Sequence, residues 1–96
     1  MKIFKSVDSK FEEIGFKKVR EDKFGATYER FIEKFNYTHT IDLVHKSDGR
    51  HRIMSYDANL RDVNGIGNTG VGLTMYETKL CLKKMKSLGW KVRKGV

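Results

Sequence analysis

The sequence predicts an α+β domain: a helix, a four-stranded antiparallel meander and a second helix, with both helices on one face of the sheet. Three observations carry that expectation. Apolar residues recur at helical spacing near both ends of the chain, and β-branched and aromatic residues crowd its middle. Between two of the middle runs stands Asp48-Gly49, a strong hairpin signal. Ninety-six residues make one domain, 1–96, with one modest core and no room for separate cofactor and substrate domains. The 39% apolar and 33% charged fractions suit a folded globular chain rather than a disordered one.

Ile3, Phe4, Val7, Phe11 and Ile14 share one helical face, which predicts a first helix over roughly residues 3–14. Gly15 stands where a left-handed residue closes a helix, and Phe16 is placed to fold back on the last turn in a Schellman ending. A short β-type stretch at "FKKVR" is followed by "ATYERFIE", "YTHTIDLVHK" and "RHRIMSY". If Asp48-Gly49 is a two-residue turn, Ile41 faces Tyr56, Leu43 faces Met54 and His45 faces Arg52. That register puts Tyr37, Ile41, Leu43, Met54 and Tyr56 on the core face. Thr38, Thr40, Asp42, Lys46, His51 and Ser55 then lie on a wet face, where Val44 and Ile53 oppose one another. Thr74 and Glu77 form a capping box that opens the second helix. Thr78, Cys81, Leu82, Met85 and Leu88 follow as its apolar stripe, and Gly89-Trp90 repeats the Gly15-Phe16 ending.

Several motifs imitate chemistry without its context. Gly65, Gly67 and Gly70 match the dinucleotide-binding spacing, but that site needs a βαβ unit and only "KVRKGV" follows the helix. Residues 65–72 therefore read as a connector. Cys81 lies on the apolar stripe as a small hydrophobe, and one cysteine builds no disulfide framework, so a reducing cytoplasm is expected. His39 and His45 share a strand face but stand about 20 Å apart, with His51 opposite, so no metal site is expected. Asp57, Asn59 and Asp62 resemble part of a calcium loop but lack its glycine and final glutamate. Glu21 and Lys23 imitate a metal-dependent nuclease motif, which would need Asp42 as the partner carboxylate. No catalytic residue and no cofactor is expected. No apolar run approaches the ~20 residues of a membrane span, and "MKIFKSVDSKFEE" turns acidic too soon for a secretory signal.

Charge is the most informative property. Of a net +8, residues 1–48 carry +1 and residues 49–96 carry +7. Such polarisation draws polyanions or an acidic protein surface. Lys79, Lys83 and Lys86 share one face of the second helix, with Tyr76 alongside. Lys91, Arg93 and Lys94 extend the charge past the helix end, and Arg61 joins it from the preceding loop, with Arg50 and Arg52 able to add to it. Lysine-rich faces with an aromatic grip phosphates without reading sequence. The expected activity is binding of nucleic acid or an acidic protein surface by this helix and the 57–72 loop. The alternatives are a homodimeric adaptor pairing through Val44 and Ile53 or a sheet edge, and a small nuclease around Glu21, Lys23 and Asp42.

"FEEIGFKKV", "YERF" followed by "IDLVHK", and "LTMYETKLCLKKMKSLGW" resemble small proteins encoded by phages and prophages of Gram-positive bacteria. The likeness covers most of residues 7–90, and Leu88-Gly89-Trp90 is its most specific element. It implies an accessory role in infection, such as altering host machinery or blocking host defence, by binding rather than catalysis. This chain is more basic than the resemblance implies, and its glycine-rich segment is longer.

Overall fold

A computed structural model describes residues 6–61 and 68–91. Ile3, Phe4, Asp62, Gly65, Gly67, Arg93 and Lys94 lie outside the described residues. The elements are α1 (Val7–Glu13), β1 (Lys17–Asp22), β2 (Gly25–Ile32), a 3-10 turn (Glu33–Phe35), β3 (Tyr37–Val44), β4 (Arg52–Arg61), β5 (Asn68–Gly70) and α2 (Met75–Ser87). The class is α+β. The sheet is antiparallel in the order β1-β2-β3-β4-β5, so it holds five strands where four were expected. The fifth comes from the end of the glycine-rich segment. β4 runs on to Arg61 rather than stopping near Tyr56, and its edge pairs Tyr56 with Gly70 and Arg61 with Asn68. Unpaired backbone groups on a strand edge favour such an addition.

Both helix endings follow the local sequence. Phe16 N–H donates to the Phe11 carbonyl and Gly15 N–H to that of Glu12. Trp90 and Gly89 repeat the pattern on Met85 and Lys86. Each is a Schellman closure, with the glycine at positive φ. At the start of α2, Thr74 Oγ1 accepts from Glu77 N–H while Glu77 Oε1 accepts from Thr74 N–H, completing the capping box.

The β3–β4 register departs from the expected one by a single residue. Leu43 pairs with Ile53, Ile41 with Ser55, His39 with Asp57, and Val44 rather than His45 with Arg52. A two-residue type I′ turn needs positive φ at both central residues, yet of Asp48 and Gly49 only the glycine adopts it. The chain instead makes a four-residue turn closed by Gly49 N–H on the Lys46 carbonyl, and Asp48 Oδ1 accepts from Arg50 N–H. A shift of one residue exchanges the faces of a whole strand. Ile41 and Leu43 are buried as expected, but Ile53 packs on the core while Met54 is exposed and Tyr56 points away from it. Val44 and Ile53 thus lie on opposite faces and form no joint apolar patch.

The core joins Phe11 of α1, Phe16, Ala26 and Tyr28 of β2, Ile41 and Leu43 of β3, and Leu80, Cys81 and Met85 of α2. Phe11 stacks on Tyr28 at 4.0 Å between centroids. The apolar stripe of α2 is rotated from the expected one. Leu82 is 56% exposed, whereas Leu80, Glu77 and Lys84 are buried, because the two charged side chains find partners beneath the helix.

Gly25 opens β2 at φ +147°, and a Cβ there would lie 1.8 Å from the Leu43 carbonyl oxygen. At Gly89, φ is +77° but the space is open. Gly25→Ala is therefore expected to cost about 3 kcal/mol or more, since strand backbone must separate, whereas Gly89→Ala costs about 1–2 kcal/mol of left-handed strain alone. Urea unfolding of the two variants checks the order, and equal losses would contradict it.

Candidate functional site

Two charge networks lie beneath the helices. In the first, Arg30 of β2 donates to Glu77 Oε2 (2.8 Å), to His39 Nδ1 (3.3 Å) and to the Ile14 carbonyl (3.1 Å), with its guanidinium 4.2 Å from the centre of the Phe16 ring. Burial opposes the charge of Glu77, but the Thr74 amide and Arg30 outweigh it and hold the carboxyl below its usual range. Burial, assisted by Arg30 and resisted by Glu77, pushes the His39 imidazole down. In the second network Lys18 and Lys84 each reach both Asp8 and Glu21, at 2.6–3.1 Å. Burial again works against Asp8, yet hydrogen bonds from Tyr28, Lys18 and Lys84 bring it down to about 2.

His39 Nε2 lies 2.6 Å from Ser55 Oγ, the approach of a base to a nucleophile. The tautomer is wrong for that role. A guanidinium only donates, so Arg30 requires Nδ1 as the acceptor, which leaves the proton on Nε2 and makes Ser55 Oγ the receiver. The pair is a structural hydrogen bond. Cys81 is buried, and burial pushes its thiol up to about 12, far from a reactive thiolate.

The nuclease constellation does not assemble. Glu21 reaches Lys84 beneath α2, whereas Asp42 accepts from Thr27 (2.6 Å) and Tyr56 (2.7 Å) on the other side of the sheet. Lys23 packs over Phe24. The two carboxylates face apart and cannot share an ion. Asp57 is buried within β4 rather than placed in a loop, and Asn59 belongs to the same strand.

The basic face is where the sequence places it. Tyr76, Lys79, Lys83 and Lys86 are exposed on one arc of α2, together with Met75 and Leu82. Lys10 of α1 joins them, and the charges of Lys10 and Lys79 hold Lys83 below its usual value. Among the described residues no carboxylate pairs with Lys79, Lys83 or Lys86. Lys91 is exposed beyond the helix, and Arg61 ends β4. Arg50 is tied to Asp48 in its own loop.

At the end of α2 a cleft of about 240 Å³ is lined by His45, Lys46, Ser47, Gly49, His51, Gly89, Trp90 and Lys91. Its walls are aromatic. His45 and His51 stack at 4.6 Å, and Trp90 meets them at 5.0 and 4.9 Å. His51 Nδ1 accepts from Lys46 N–H (2.9 Å) and Nε2 donates to the Lys91 carbonyl (2.9 Å). This corrects the expectation that His51 faces away from His45. The observed register continues outward to set His45 opposite His51, on the face where α2 ends. Histidines equally spaced about Asp48, ahead of the single tryptophan, were the available sequence signal.

Comparison with family models, with curated proteins and with solved structures finds no match to this chain. Among the described residues no helix is long and apolar enough to cross a membrane.

Glu77→Gln keeps one oxygen to accept from Thr74 N–H but turns an amide donor toward Arg30, so the cap survives while the charge and the hydrogen bond opposite Arg30 are both lost. Such a loss from a buried pair is expected to cost about 3 kcal/mol in chemical denaturation with helix content unchanged by circular dichroism. Asp8 supplies a pH signature. Its carboxyl is depressed from 3.8 to about 2, so its contribution, about 2 kcal/mol, is complete above the unfolded value. That contribution is lost as pH falls from about 4 through about 2. Asp8→Asn should be less stable at neutral pH and show a flatter acid limb in urea midpoints across this window.

Proposed function

We propose that this chain is a non-catalytic binding protein that engages nucleic acid through the exposed face of α2. One observation carries the reading: the structure sorts the charges of α2 into two classes. Glu77 and Lys84 are buried and paired, whereas Lys79, Lys83 and Lys86 face solvent with no carboxylate paired to them among the described residues, and Lys83 stands against the like charges of Lys10 and Lys79. Like charges held together cost stability, and a polyanion relieves the repulsion by replacing condensed counterions. Tyr76 offers a flat ring beside the lysines. Glu21, Asp42, Ser55 and Cys81 supply no convergent catalytic set in these positions. The resemblance to phage-encoded accessory proteins would make the bound nucleic acid, or a complex carrying it, a host target in the bacterial cytoplasm.

A second reading has its own support. Met75 is 91% exposed and Leu82 56% exposed on the same arc, an apolar component suited to an acidic protein surface rather than to phosphates alone. Salt dependence separates the two. Substituting Lys79, Lys83 and Lys86 with glutamine retains good helix formers, so stability should hold or rise slightly. In fluorescence anisotropy on labelled duplex and single strand between about 50 and 200 mM salt, each lysine lost should lower the slope of log affinity against log salt by about 0.7–0.9. Unchanged slopes would clear this face, and no binding by the parent chain would favour the acidic protein surface.

A further inference from the structure

The cleft at the end of α2 has no part in the lysine-face argument, yet it is the more specifically shaped of the two features. About 240 Å³ is below the roughly 300–1,000 Å³ of pockets for drug-sized ligands, so it suits one ring system rather than an extended cofactor. His51 is fixed through both ring nitrogens, and the backbone of Trp90 is held by its N–H donating to the Met85 carbonyl. His45 differs. Its imidazole is held by ring contacts alone, with no hydrogen bond to either nitrogen among the described residues. One of its ring nitrogens can make a single hydrogen bond to a nucleobase or to its flanking phosphate. The stacked geometry argues against a metal, since near-parallel rings do not converge their lone pairs and those of His51 are occupied.

The rim supplies charge of one sign. Lys46 and Lys91 are exposed at the cleft, while Asp48 is paired with Arg50. The helix end does not oppose an anion strongly, because Gly89 and Trp90 already occupy the Lys86 and Met85 carbonyls. The lysine stripe also leads here. Lys86 lies in the last turn of α2, and the Schellman closure at Gly89 carries the chain from it directly to Trp90.

We propose that the cleft of His45, His51 and Trp90 is a stacking site for one unpaired nucleobase, whose flanking phosphate is held by Lys46 and Lys91. This rests on the reading of the chain as a nucleic-acid binder and adds a preference for single strands. A base inside a duplex is already stacked on both faces and cannot enter, whereas aromatic and histidine side chains readily take splayed bases.

Trp90 is the sole tryptophan and reports on the site directly. The full chain is titrated with an oligothymidylate of about ten nucleotides and with a duplex of equal length, reading tryptophan emission and anisotropy together. Quenching of Trp90 by the single strand, with affinity about tenfold or more above that for the duplex at the same salt, is the expected result. His45→Ala should reduce single-strand affinity about tenfold while leaving duplex affinity and salt slope unchanged, with its fold checked by circular dichroism. Lys91→Gln, at an exposed position, should lower the single-strand salt slope by about 0.7. Binding of both nucleic acids with equal affinity, or with unchanged Trp90 emission, would overturn the base site and leave the lysine face standing. Binding of neither at low salt would remove both.

Discussion

Arg30 is the tie on which the arrangement of helices and sheet depends. From the middle layer of the sheet it reaches the Ile14 carbonyl at the C-terminal end of α1 and the Glu77 carboxylate at the N-terminal end of α2. Both contacts agree with the helix dipoles, a cation at a C-terminus and an anion at an N-terminus. The same guanidinium covers Phe16, whose position is set by the Schellman closure of α1. Burying such a group is costly unless it is paired, and Glu77 pairs with its Nη2 while also capping its own helix, although Nε stays buried without a partner among the described residues. Glu77 thus orients the first turn of α2 and anchors it to β2 with one side chain.

That anchoring decides which side of α2 faces water. With Glu77 drawn inward toward Arg30 and Lys84 drawn toward Asp8 and Glu21, the helix turns Leu82 outward among Lys79, Lys83 and Lys86. The exposed arc is basic and partly apolar because the compensating charges were used underneath. The buried ion pairs and the exposed basic arc are consequences of the same rotation.

The β3–β4 register plays the same part at the other end of α2. Because Asp48 does not enter the left-handed region, the turn takes four residues and the strands pair one position away from the two-residue hairpin. Ser55 then meets His39 beneath the helices, and His45 and His51 come together against Trp90. A cleft with aromatic walls is the product of one residue of register.

The sequence by itself determined the features that depend on near neighbours. These are both glycine-aromatic helix endings and the Thr74–Glu77 box, set by contacts within about one helical turn, and the common arc of Lys79, Lys83 and Lys86, set by helical spacing. The α+β class followed from the period of the apolar residues along the chain. The asymmetry of charge between the two halves was equally legible. Tertiary structure decided the rest. Whether Met54 or Ile53 faces the core, whether Lys84 is buried or solvated, and whether the glycine-rich segment adds a strand all turn on partners far away in the chain. Periodicity ranks side chains by polarity and so put Leu82 inside, but a buried cation with two carboxylates outweighs one leucine. The aromatic cleft was hidden for the same reason: its three rings come from β3, β4 and the end of α2, and only packing brings them together.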